Sequence, residues 1–221
     1  MTISERIWER IFAADAKHAA NDNIAEFLLP GEMEALEHEV ESVMESLLYT
    51  LVIEYDENTR DTAKRMARMY LREFFAGRYQ PRPEATDFPN TRQLDELYTV
   101  GPIGVRSICA HHLVPVTGEA WVGVIPGERI IGLSKFSRIA QWVMARPQVQ
   151  EEAVIQLADE IERTIRPKGL AVLVRATHAC MTARGVRDPD ATMTTSVMRG
   201  LLADDDAARN EFLALIRGQG F

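Results

Sequence analysis

Cysteine is scarce: the chain of 221 residues has two, Cys109 and Cys180. That excludes a disulfide framework, and in a reducing compartment such a pair is buried, catalytic or bound to metal. Basic charge is in deficit, with 25 Lys plus Arg against 33 Asp plus Glu, a formal net charge of −8. Nucleic-acid binding rests on an excess of basic side chains, so this balance predicts no nucleic-acid partner. Any handling of phosphate must fall to a local basic cluster. No apolar run approaches the ~18 residues that cross a membrane, which predicts no membrane association. A signal peptide's apolar core is missing too, because Glu5, Arg6, Glu9 and Arg10 stand where it would lie. The expected location is cytoplasmic. Internal repeats and low-complexity segments are absent. With 13 Gly, 10 Pro and 46% hydrophobic residues, the composition is that of a globular chain, not a disordered or collagen-like one.

What is present divides in two. Ile3, Ile7 and Ile11 form one stripe, with Trp8 and Phe12 beside it, which predicts an amphipathic helix from residue 3 to about 20. Pro30 opens a second helix with Met33, Leu36, Val40, Val43, Met44, Leu47 and Leu51 on its apolar face. Residues 31 to 57 hold nine Asp or Glu and no Lys or Arg, so its other face is acidic. A third helix is predicted from Thr62 to Phe75, with Met66, Met69, Tyr70 and Phe74 inward and Gly77 just past its end. Lys64, Arg65, Arg68 and Arg72 make its outer face basic. Both charged faces read as solvated surfaces. Residues 78 to 92, with Pro81, Pro83 and Pro89, read as a joining loop. Beyond it, residues 94–100, 103–109, 119–125, 170–180 and 192–198 read as strands, and 134–146, a segment up to Arg166 and 205–217 as helices. Two helices between an early and a late hairpin suggest an α+β domain with a mostly antiparallel sheet.

Three of the five histidines lie within three residues of a cysteine, in Cys109-Ala110-His111-His112 and His178-Ala179-Cys180. Strand alternation would put His178 and Cys180 on one side of theirs. A turn at the end of the first segment would bring Cys109 and His112 onto one ion. Two thiolates and one imidazole suit Zn²⁺, and three protein ligands leave a fourth position open, the mark of a catalytic site. Each cluster taken alone favours buried cysteines and hydrogen-bonded histidines instead. Together they use both cysteines and most histidines, which favours metal. Gly132-Leu133-Ser134-Lys135 followed by Arg138 predicts a helix start with two cations on its first turn, an anion site or a basic surface end. Arg184 and Arg187 could add charge. In Arg146-Pro147-Gln148-Val149-Gln150-Glu151, a carboxylate could accept from the N1–H and 2-amino groups of guanine, with Gln150 at another ring edge. On spacing alone, the better reading of Glu151 is a first-turn residue of an exposed helix.

In combination these segments resemble GTP cyclohydrolase I of the tunnelling-fold superfamily. The matching stretches are CAHHLVPVTGEAWVGVIP, IIGLSK with Arg138, RPQVQE, and THACMTARGV followed by TTS, in the family's order across residues 98 to 200. The resemblance implies helices over 1–92, then a zinc-binding tunnelling-fold domain over 93–221, its mostly antiparallel sheet packed on two helices. It implies zinc on Cys109, His112 and Cys180, with His111 and His178 acting on protons. Glu151 would anchor guanine with Gln150 beside it. Ser134, Lys135, Arg138 and Arg184 would hold ribose and triphosphate, and Arg65 would reach in from a neighbouring subunit. The implied reaction turns GTP into 7,8-dihydroneopterin triphosphate and formate, in a decamer of two pentamers with interface sites. Two departures stand out: Ala110 where the family pattern reads Cys-Glu-His-His, and Thr62-Ala63 where Thr-Pro is common. The lost carboxylate leaves open a relative acting on another purine nucleotide, one that halts at the ring-opened formamide, or a non-catalytic nucleotide-binding ring.

Overall fold

In the computed structural model, which describes residues 1–15 and 18–221, Thr2 begins the first helix through a capping box. Its hydroxyl accepts from the Glu5 N–H, and the Glu5 carboxylate accepts from the Thr2 N–H. Helix α1 spans Ile3–Ala13, shorter than its sequence pattern predicts. Ala16 and Lys17, inside the predicted helix, lie outside the described residues. The chain divides into two compact units, Met1–Pro81 and Arg82–Phe221.

The first unit continues with α2 (Glu32–Thr50), α3 (Thr62–Met69) and α4 (Ala76–Tyr79). Between α3 and α4 the backbone widens into a π-helical turn over Tyr70–Phe74. Ile7, Ile11, Ile24, Leu36 and Leu71 form its small core. Glu39 ties α1 to α2 by accepting from the backbone N–H groups of Ile3 at 2.8 Å and Ser4 at 3.1 Å. On α3 the deepest stripe is Ala63, Ala67 and then Leu71, four residues apart, while Met66, Met69, Tyr70 and Phe74 are only half-buried. Small side chains there let α2 and α3 approach closely. The two charged faces are not both simply solvated. Arg72 meets Glu34 at 3.0 Å and Glu37 at 2.8 Å, joining the basic face to the acidic one. The predicted apolar face of α2 is buried only at Leu36, and Val43, Leu47 and Leu51 are exposed.

The second unit runs β1 (Asp87–Pro89), β2 (Tyr98–Cys109), β3 (Pro115–Ile125), β4 (Arg129–Ile131), α5 (Leu133–Met144), β5 (Pro147–Gln148), α6 (Gln150–Ile165) and β6 (Gly169–His178), and closes with α7 (Ala179–Thr182), β7 (Met193–Gly200), α8 (Leu201–Asp204) and α9 (Asp206–Arg217). It is α+β. A five-stranded sheet has the order β5-β2-β3-β6-β7, antiparallel except for the short β2–β5 pairing, and β1 pairs with β4. The two predicted strands over 94–109 are one, with a register shift between Val100 and Ile103 around Gly101-Pro102. A proline cannot donate to the ladder, so the interruption falls there. Part of the predicted joining loop, 87–89, is a strand.

One sheet face is covered by α5 and α6. Val154, Leu157, Ala158, Ile161 and Ile165 recur at helical spacing and meet Val122, Val172 and Val174 in the main core. Each fully buried Leu or Ile there is worth about 1.5–3 kcal/mol of transfer free energy. On the other face Leu202, Phe212 and Ile216 pack on Trp121, Ala171 and Leu173. Gly123 makes room for the Phe212 ring: a Cβ there would stand 2.5 Å from it. Cores on both faces hold β2, β3 and β6 rigid, and the candidate site sits at one end of these strands.

Candidate metal centre and surrounding site

Cys109 is the last residue of β2, and the chain turns at once. The Leu113 N–H donates to the Cys109 carbonyl at 2.9 Å and the Cys109 N–H to the Val114 carbonyl at 2.9 Å. Leu113 takes a left-handed conformation, φ +52°, to close this turn. The turn folds His112 back over Cys109. On the far side of β3, register pairs Val116 with both Ser107 of β2 and His178 of β6, so the two cysteine-bearing segments end level. Strand β6 stops at His178, and Cys180 lies in the first turn of α7. The predicted strand alternation of His178 and Cys180 is therefore replaced by a strand-to-helix corner.

The ligand atoms of Cys109, His112 and Cys180 all lie within 4.8 Å of one another. Cys109 is buried, Cys180 half-buried and His112 exposed, so the group opens to one side. No fourth His, Cys, Asp or Glu joins it among the described residues. Burial pushes the Cys180 thiol up, and the neighbouring Cys109 sulfur pushes it further. Two adjacent thiols oppose each other's ionisation, and a cation between them reverses that cost. Arg184 donates to His112 Nε2 at 2.7 Å. A guanidinium has no acceptor, so Nε2 is the accepting atom of this contact, and a metal bound through Nε2 would displace Arg184 from it. The donor set thus fits a three-coordinate borderline-soft metal site with an open position.

His111 is exposed, its Nδ1 3.7 Å from Cys109 Sγ. His178 is half-buried, and its Nε2 lies 2.7 Å from Gln150 Oε1. Burial lowers its pKa, partly offset by the charge of Glu151. Gln150 is buried at the start of α6, and Glu151 is exposed in the same first turn. Ser134, Lys135 and Arg138 occupy the first turns of α5, where Lys135 Nζ donates to the Glu84 carbonyl at 3.1 Å. No hydrogen bond or ion pair among the described residues joins these three to the metal-ligand group. Arg65 belongs to the first unit, exposed and paired with Asp61 at 3.4 Å.

The sequence pattern missed the contacts behind His178. Gln150 Nε2 reaches the Val174 carbonyl at 3.2 Å, the Met193 carbonyl at 3.1 Å and Thr195 Oγ1 at 3.1 Å. Ser107, Met144 and Gln148 line a small cavity beside the same pair. Only the run of polar residues Thr194-Thr195-Ser196 hinted that β7 had a part here.

A family model for GTP cyclohydrolase I matches residues 39–217. A GTP cyclohydrolase 1 of Halalkalibacterium halodurans is 47% identical over 165 residues, 73% of this chain and 86% of its own. One of Mycobacteroides abscessus is 44% identical over 179 residues, 80% of this chain and 87% of its own. One of Yersinia enterocolitica is 39% identical over 166 residues, covering 75% and 76%. The crystal structure of the archaeosine synthase QueF-Like in the apo form covers 53% of this chain and 95% of its own at TM-score 0.36 and 14% identity, too slight a likeness to bear on function. The matched region takes in the Cys-His-Cys group, the α5 start and the Gln150-Glu151 corner alike, and on that breadth of agreement the chain belongs to the GTP cyclohydrolase I family of enzymes.

Proposed function

We propose that this chain converts GTP to 7,8-dihydroneopterin triphosphate with release of formate, using Zn²⁺ held by Cys109, His112 and Cys180. The observation that carries the reading is the meeting of those three side chains at an open strand end. When bound, zinc supplies Lewis acidity that makes water a nucleophile near neutral pH. The remaining work falls to the chain's own residues. His111 and His178 give and take protons around the imidazole ring and ribose. Glu151 accepts from the guanine N1–H and 2-amino group, with Gln150 beside it. Ser134, Lys135 and Arg138 hold ribose and triphosphate at the positive end of α5, joined by Arg184. Catalysis belongs to the second unit, and the helical first unit contributes to assembly, with Arg65 reaching a neighbouring copy's site.

Incubating zinc-loaded protein with GTP is expected to yield formate and the pterin in equal amounts. GTP consumed without formate would mean a halt at the ring-opened formamide. Absence of turnover in a folded, zinc-loaded sample would overturn the reading.

The assembly we assign is a decamer of two pentamers with sites at subunit interfaces, in the cytoplasm. Support comes from unpaired hydrogen-bonding edges within the second unit. Among the described residues, strand β7 has a partner on one side only, and the outer edge of β2 is covered by β5 only at Ile108 and Cys109. Val43, Leu47, Tyr49 and Leu51 form an exposed apolar run at the end of α2. No helix among the described residues is long and apolar enough to cross a membrane. Light scattering is expected to give ten copies of the 24.9 kDa chain. An active monomer at low concentration would sink the assignment.

A further inference from the structure

The contacts around Gln150 determine more than its own position. The Val174 and Met193 carbonyls accept only, so the end of the amide that faces them is the NH₂. The orientation of this amide is therefore settled by its surroundings. Its Oε1, which accepts only, then points at His178 Nε2 at 2.7 Å. The bond exists only if that ring nitrogen carries a proton. A neutral His178 consequently has its lone pair on Nδ1. Gln150 is 5% exposed, and its amide spans α6, β6 and β7, so the arrangement is held from three elements.

We propose that Gln150 is a positioning residue: clamped by two strand carbonyls and Thr195, it fixes the tautomer of His178 with the proton on Nε2, so that Nδ1 is the atom through which His178 takes and returns a substrate proton. This rests on the reading of His178 as a proton-handling group. The tautomer itself rests on the geometry alone.

Solid-state NMR of ¹⁵N-histidine-labelled, zinc-loaded protein tests it, with the His178 signals assigned by their loss in His178→Ala. A protonated Nε2 and an unprotonated Nδ1 are expected in the wild type. A protonated Nδ1 with a bare Nε2 would overturn the proposal whatever any variant does. Gln150→Met keeps the length of the side chain and removes the strong acceptor. It is expected to give a mixed tautomer signal and a kcat lower by about 10–100-fold, the usual cost of losing such a supporting partner. Zinc content and the far-UV spectrum should stay unchanged, which a general loss of structure would not allow. An unchanged tautomer or an unchanged kcat in Gln150→Met would overturn it. Wild-type turnover in His178→Ala would instead remove the proton-handling role, an outcome separate from the wild-type spectrum.

Discussion

Cys180→Ala is expected to strip the protein of zinc and of GTP turnover together. Cys109 and His112 come from one turn at the end of β2, and Cys180 alone brings the second strand end into the group. Without it two ligands remain, and no other His, Cys, Asp or Glu among the described residues lies near enough to replace the third. Zinc held by protein takes three ligands plus water in catalytic sites and four in structural ones, so two fall short of either. Water without the metal regains its ordinary, far higher pKa, and its nucleophilic fraction falls by several orders of magnitude. The fold should survive, since Cys180 is half-buried on the four-residue α7 and packs against the main core without being one of its buried residues. Elemental analysis is expected to fall from about one zinc per chain to near none, with an unchanged far-UV spectrum. Full metal content and turnover in this variant would remove the metal assignment.

The metal-ligand group was legible in the sequence because its chemistry is local in each half. Cys-x-x-His at a strand end and His-x-Cys at another are short patterns, and scarcity of cysteine makes their pairing hard to avoid. Long periodic elements were legible for a similar reason: α6 repeats its apolar side chains over four turns, and β6 opens with an unbroken apolar run, Leu170 to Val174. What escaped depended on distant chain. Where β6 stops is settled by α7 beginning at Ala179, and no pattern in His178-Ala179-Cys180 distinguishes a strand from a corner. The amide of Gln150 is oriented by carbonyls 24 and 43 residues away, and backbone carbonyls leave no mark in a sequence. Helix α2 misled in another way. Its apolar stripe is real, but within one chain it is covered only near Leu36, because periodicity reports that a face seeks cover and not which surface supplies it.

Glu151→Gln carries the other large effect, and the reason lies in the donor pattern of purines. Guanine presents two adjacent donors, N1–H and the 2-amino group, whereas adenine presents an acceptor and a C–H at the same places. An ionised carboxylate only accepts, so it satisfies guanine with both oxygens and is left poorly paired against adenine. The position of Glu151 suits that role. It is exposed in the first turn of α6, next to the buried Gln150, and close enough to His178 to oppose the lowering of its pKa. The amide of glutamine keeps the shape but turns one acceptor into a donor, which faces a guanine donor and leaves both without a partner. Sites that select by such hydrogen bonds discriminate by about 10⁴-fold or more. Glu151→Gln is accordingly expected to lose kcat/KM for GTP on that scale, with zinc content unchanged. Removing one negative neighbour also lets the His178 pKa fall further, but an exposed charge acting through solvent has a much smaller effect than a misplaced donor. A folded, zinc-loaded Glu151→Gln protein with near-wild-type turnover of GTP would reduce this carboxylate to a first-turn residue. Its interaction with the helix dipole would then be worth only about 0.3–1 kcal/mol.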